Sequence, residues 1–169
     1  MSRPVAGTYP VYFTNYINQV VEDDLQTAFK SQQSIVDGFF SAIPEDKTNT
    51  GYAEGKWSLK ELLQHVIDAE RIFCYRALAF ARKEKASLPS FEENEYAENS
   101  NANNRSWKSL CDELKTVRAS TLTLFDSFTT GMLQTSGIAN NNSTSVLAMG
   151  FIIVGHLAHH KKIAEERYL

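Results

Sequence analysis

The sequence predicts an all-α chain, a four-helix bundle in a single domain over residues 1–169. Three observations carry that expectation. Apolar residues recur at helical spacing along four long segments, and the connectors between them are polar. No stretch alternates apolar and polar residues for long enough to support a sheet. With 169 residues, 43% hydrophobic and 22% charged, the chain has the length and composition of a globular protein with one sizeable core.

Residues 1–11 read as an irregular arm. A short helical piece follows at 11–19, where Tyr12, Tyr16 and Ile17 share a face. The first long helix opens near Asp23, three residues before Gln26 in the manner of a capping box. It carries Leu25, Phe29, Ile35, Phe39 and Phe40 as core residues and ends before Pro44. A polar loop at 44–56 leads to the clearest helix start in the chain. Ser58-Leu59-Lys60-Glu61 forms a capping box, with Trp57 and Leu62 placed as a hydrophobic staple. The second helix buries Leu62, Val66, Ala69, Phe73, Ala77 and Phe80, with His65 on or beside that stripe.

Residues 83–105 turn polar and end in an asparagine-rich run. That is long for a plain loop, which makes it a candidate cover for a site. The third helix fits 106–128, with Trp107, Leu110, Leu114, Val117, Leu124, Phe125 and Phe128 buried. A second polar loop holds Gly131, Gly137 and Asn140-Asn141-Asn142. Ser143 or Thr144 is placed to cap the last helix, which runs to about Arg167. Its inner face would present Met149, Ile152, Ile153, His156, His160 and Ile163.

The net charge of −3 provides no basic excess for phosphates, so nucleic acid is not an expected partner. Cys74 and Cys111 have no Cys-x-x-Cys spacing, which points to a reducing compartment. The first residues lack the apolar region of a signal peptide, and the apolar run at 146–154 is far too short to span a bilayer. A cytoplasmic protein without membrane contact is the expectation.

The chemistry concentrates in the histidines. The chain has four, and three fall within Gly155-His156-Leu157-Ala158-His159-His160. Residues i and i+4 share a helix face, so His156 and His160 project together, and His65 can meet them from another helix. Burying two imidazoles on an inner face without a shared partner would cost several kcal/mol. A divalent metal satisfies all three and keeps a position open for water or substrate. An i,i+3 pair of His156 with His159 is also sterically available. The i,i+4 pair is preferred, leaving His159, about 100° around from His160, behind the ligands or at the rim.

Several competitors have simpler explanations. Glu61, four residues before His65, is accounted for by the helix cap. Asp68 could orient an imidazole or add a fourth ligand, but reads more readily as an exposed helix carboxylate. The Glu-x-x-His pairs of dinuclear carboxylate bundles are missing at these histidines. Cys74 lies about 180° around its helix from His65 and so points away. Arg76, three turns after His65 on nearly the same face, could meet an anionic substrate or form a structural ion pair.

The run Gly55-Lys56-Trp57-Ser58-Leu59-Lys60-Glu61-Leu62-Leu63-Gln64-His65, with Asp68-Ala69-Glu70-Arg71, resembles the second helix of DinB-like (DinB/YfiT-like) proteins. The segment Gly155-His156-Leu157-Ala158-His159-His160, with Ile163 after it, is similar to that family's last helix. Leu88-Pro89-Ser90-Phe91 and the closing Glu166-Arg167-Tyr168-Leu169 extend the resemblance over essentially the whole chain.

The resemblance implies a four-helix bundle with non-sequential helix order, often dimeric, so a homodimer is expected. It also implies one divalent metal held by His65, His156 and His160. Zinc or nickel heads the candidates, with manganese, cobalt and copper also compatible. Characterised relatives are transferases or isomerases that use low-molecular-weight thiols such as bacillithiol or mycothiol. Three functions follow in order: a metal-dependent thiol S-transferase acting on a small molecule, a metal-dependent hydrolase using water at the open position, and a non-catalytic stress-response binding module.

Overall fold

The computed structural model describes residues 2–169. The helical elements are α1 (Thr14–Ile17), α2 (Leu25–Ser31), α3 (Leu59–Ala81), α4 (Glu93–Asn99), α5 (Trp107–Asp126), α6 (Thr130–Gln134) and α7 (Val146–Arg167). A hairpin of β1 (Ser136–Ala139) and β2 (Asn142–Ser145) precedes α7.

Helix α3 begins where the sequence places it. Ser58 is extended, its hydroxyl accepts from Glu61 N–H at 3.1 Å, and Glu61 Oε2 accepts from Ser58 N–H at 2.7 Å. The helix ends in a Schellman turn: Glu84 N–H reaches Ala79 O and Lys83 N–H reaches Phe80 O. Lys83 holds the left-handed conformation that glycine usually supplies there.

Five expectations need correction. The first bundle member is not one continuous helix. Asp24, not Asp23, caps α2, with Oδ1 accepting from Thr27 N–H at 3.1 Å. Beyond Ser31 the chain passes through a π turn at Ile35–Phe39 and a 3-10 turn at Phe40–Ala42. Gly38 and the β-branched Ile35 and Val36 weaken a regular helix in that stretch. The connector at 83–105 contains α4 and a 3-10 turn at Ala102–Asn104, elements too short for a periodicity signal. The loop before α7 forms a hairpin, because Asn140 and Asn141 both take positive φ and close a two-residue turn. That hairpin consumes Ser143 and Thr144, so the cap of α7 falls on Ser145, whose hydroxyl accepts from Ala148 N–H.

The packing order differs from the chain order. Helix α3 lies between α5 and α7, while α2 packs on α7 and the turns after it pack on α5. Consecutive members α2 and α3 therefore stand across the diagonal. Helix α7 is central, and residues 146–157 are buried on every side. Small residues permit this. A Cβ on Gly155 would sit 2.0 Å from Tyr16 O, so glycine lets α1 press directly on α7 beside His156. The pairing of α3 with α7 brings His65 to His156 and His160.

Candidate metal centre

His65 projects from α3, and His156 and His160 from successive turns of α7; all three are buried. His65 Nε2 lies 3.0 Å from His156 Nε2, and His160 Nε2 lies 3.1 Å from the same atom. The candidate ligand atoms all fall within 4.8 Å of one another. Hydrogen bonding alone does not satisfy this contact. A neutral imidazole Nε2 has either one proton or one lone pair, yet His156 Nε2 faces two other ring nitrogens. His160 Nδ1 is also buried without a hydrogen-bond partner among the described residues. A shared cation would resolve the convergence. Tetrahedral bonds of about 2.0–2.1 Å would set the nitrogens roughly 3.3 Å apart, close to the spacing present.

The histidines are held neutral, as metal ligands must be. Burial lowers His65 to about 4, with the nearby His159 acting in the same direction. Burial also holds His156 and His160 well below the usual imidazole value, reinforced by the surrounding imidazoles. Aromatic rings fix the cluster where hydrogen bonds do not. Trp57 packs on His65 in a tilted arrangement, 4.9 Å between centroids. Tyr16 and Phe73 meet His156 edge-on at 5.3 and 5.7 Å. Tyr168 donates to Trp57 O at 2.7 Å, tying the end of α7 to the start of α3.

Two cavities meet at the cluster. The larger, about 430 Å³, is lined by His65, His156, Arg76 and aromatic walls that include Tyr16, Phe73 and Phe91. The smaller, about 240 Å³, is lined by His160, Trp57, Lys56 and Tyr168. Glu93 and Asn94, at the start of α4, line both. The connector read from sequence as a cover therefore borders the site.

The remaining candidates separate clearly. Arg76 lines the larger cavity. His159 stands at the rim, with Nδ1 3.3 Å from Gln19 Nε2 and its ring against Tyr16 and His160. Asp68 faces away, accepting from Gln64 and bordering a separate depression with Glu95 and Tyr96; burial raises its carboxyl. Cys74 contacts Thr121, and burial pushes its thiol up to about 11. Glu61 is engaged by the cap. Sequence reasoning did not connect Tyr16, Phe91, Glu93 or Asn94 with the site. Tyr16 was legible only as one face of a short helix, and Trp57 only as a staple.

The comparisons agree with this fold. The chain superposes on YfiT from Bacillus subtilis, described as a probable metal-dependent hydrolase with an unusual four-helix bundle topology. The TM-score is 0.63 at 14% identity, covering 96% of this chain and 91% of that one. It also superposes on a mycothiol-dependent maleylpyruvate isomerase with a TM-score of 0.68 at 12% identity. That match covers 82% of this chain but only 60% of the isomerase. No curated protein sequence matches the chain. The family model for the DinB superfamily matches residues 28–164, which include all three converging histidines. With the bundle, its helix order and that match in agreement, the chain belongs to the DinB superfamily.

Proposed function

We propose that the protein is a metal-dependent thiol S-transferase. His65, His156 and His160 would hold one divalent cation, zinc or nickel foremost; the sulfur of a low-molecular-weight thiol bonds to a carbon of a small electrophile as a leaving group such as halide departs, and the thiol proton passes to water. The observation that carries this reading is the convergence of three neutral Nε2 atoms where two cavities meet. A dication bound there by uncharged ligands would keep its positive charge and favour a thiolate over a thiol. The cavities give thiol and electrophile separate approaches, and Trp57, Tyr16 and Phe73 keep the imidazoles aligned. The same fold serves a mycothiol-dependent isomerase, which supports the thiol reading.

A second reading, hydrolysis, is favoured by one observation. Glu93 places a carboxylate beside both cavities, where it could take a proton from water. Asp68, the carboxylate closest in sequence to His65, lies outside them and supports the transferase instead. One assay separates the readings. Metal-loaded protein is given an activated aryl chloride with cysteine, bacillithiol or mycothiol, and in parallel an activated ester without thiol. Chloride release that requires thiol and metal, and is lost in His65→Ala and His160→Ala, is expected. Ester turnover without thiol would replace the reading with a hydrolase, and turnover in neither would leave a binding module.

A further inference from the structure

Arg76 has a charge that the fold does not neutralise. The residue is 6% exposed on α3. Its Nη2 donates to Pro89 O at 2.9 Å, and the guanidinium lies over the Phe91 ring, 5.9 Å from the centroid. Among the described residues no carboxylate pairs with it. The other buried arginine, Arg118, contrasts sharply: Nε and Nη2 hold both oxygens of Glu70 at 2.8 and 2.9 Å. A guanidinium does not shed its proton in a protein and carries five donors. With no carboxylate paired to it, the donors that Pro89 leaves free face the cavity and are available to an anion.

The place where an anion can arrive is the larger cavity. His65, Ala69, Phe73 and Arg76 all line it, spaced so that they form one continuous strip along α3. The strip carries histidine at one end and arginine at the other, with the small Ala69 leaving space between. Eleven residues of helix separate the two ends by roughly 16 Å between Cα atoms. Glu92 and Glu93 line the same cavity, but both are exposed, where water and salt weaken their field.

We propose that the larger cavity selects an elongated organic carboxylate with an apolar or aromatic body, its acid group on Arg76 and its far end at His65 and His156. This deepens the transferase reading by naming the class of electrophile, and it rests on that reading for which end reacts. The recognition itself needs no metal. A bidentate arginine–carboxylate contact supplies orientation as well as attraction. The aromatic walls bury the body of the ligand. Arg76 is therefore a specificity residue at the end of the cavity away from the proposed reaction.

The test uses metal-free, isotope-labelled protein, so it reads recognition even where the metal assay fails. Three probes of equal length are titrated by nuclear magnetic resonance: 4-phenylbutyrate, 4-phenylbutanamide and 4-phenylbutylamine. The acid is expected to bind at least about tenfold more tightly than the amide, shifting the backbone signals of Ala69, Phe73 and Phe91. In Arg76→Gln that preference disappears, while Arg76→Lys keeps part of it. If Arg76→Gln does not fold, the acid-to-amide ratio in the wild type decides alone. Equal binding of acid and amide, preference for the amine, or shifts that map away from the cavity would overturn the proposal. So would an acid preference that survives in Arg76→Gln, or no saturation by the acid up to about 10 mM.

Discussion

At the scale of single residues, the site depends on imidazoles kept neutral by burial. Folding holds His65 down to about 4 from its ordinary 6.5. A depressed value means the stability from this group is fully present above 6.5. It is lost as pH falls, because the unfolded chain takes up the proton first. In metal-free protein the loss should reach on the order of 3 kcal/mol between pH 6.5 and about 4. His156 and His160 shift in the same direction and steepen it. Urea unfolding across that range, with chelator present, reads the slope, and His65→Asn should flatten it. A stability that stays level through the window would contradict the neutral cluster. Gly155 belongs to the same scale, since only the absence of a side chain lets Tyr16 lie against His156.

At the scale of elements, α3 shows how a cap can imitate chemistry. Glu61 lies one turn before His65, but its carboxylate accepts from Ser58 N–H. Glu61→Gln should therefore leave bound metal unchanged. Ser58→Ala should cost about 1 kcal/mol of stability, read by urea unfolding. Loss of metal in Glu61→Gln would return that carboxylate to the site. Helix α3 was legible because its cap and apolar stripe repeat over many turns. The histidine trio was legible because so few histidines exist and two share a face. Helix α4 and the hairpin were not, because neither is long enough to show a period. Their placement depends on contacts distant in sequence, such as Leu88 N–H to Ile138 O and Asn140 N–H to Leu88 O. Tyr16 and Phe91 were hidden for the same reason. Their role comes from the helices they lean on, and a neighbouring residue in sequence does not reveal it.

At the scale of the whole molecule, the non-sequential order is what makes a site from distant residues. A buried network holds that order in place. Arg118 on α5 binds Glu70 on α3, and its Nη1 donates to Gln32 Oε1 at 3.2 Å, at the end of α2. Gln32 in turn donates to Val154 O on α7 at 2.6 Å, so one cluster joins all four bundle members. Glu70→Ala strands a buried guanidinium and should cost about 3–5 kcal/mol in urea unfolding; a loss below about 1 kcal/mol would show that the network does not hold the bundle. No helix among the described residues is long and apolar enough to cross a membrane, although α7 is buried all round for half its length. That buried helix delivers His156 and His160 to His65, and metal binding at their meeting point is the property on which the proposed chemistry rests. Elemental analysis of tag-free protein tests it most directly, with wild type beside His65→Ala and His160→Ala. One divalent ion per chain in the wild type, lost in both variants, is the predicted result. No bound ion after incubation with zinc, nickel, manganese or cobalt, or an ion retained by both variants, would contradict it.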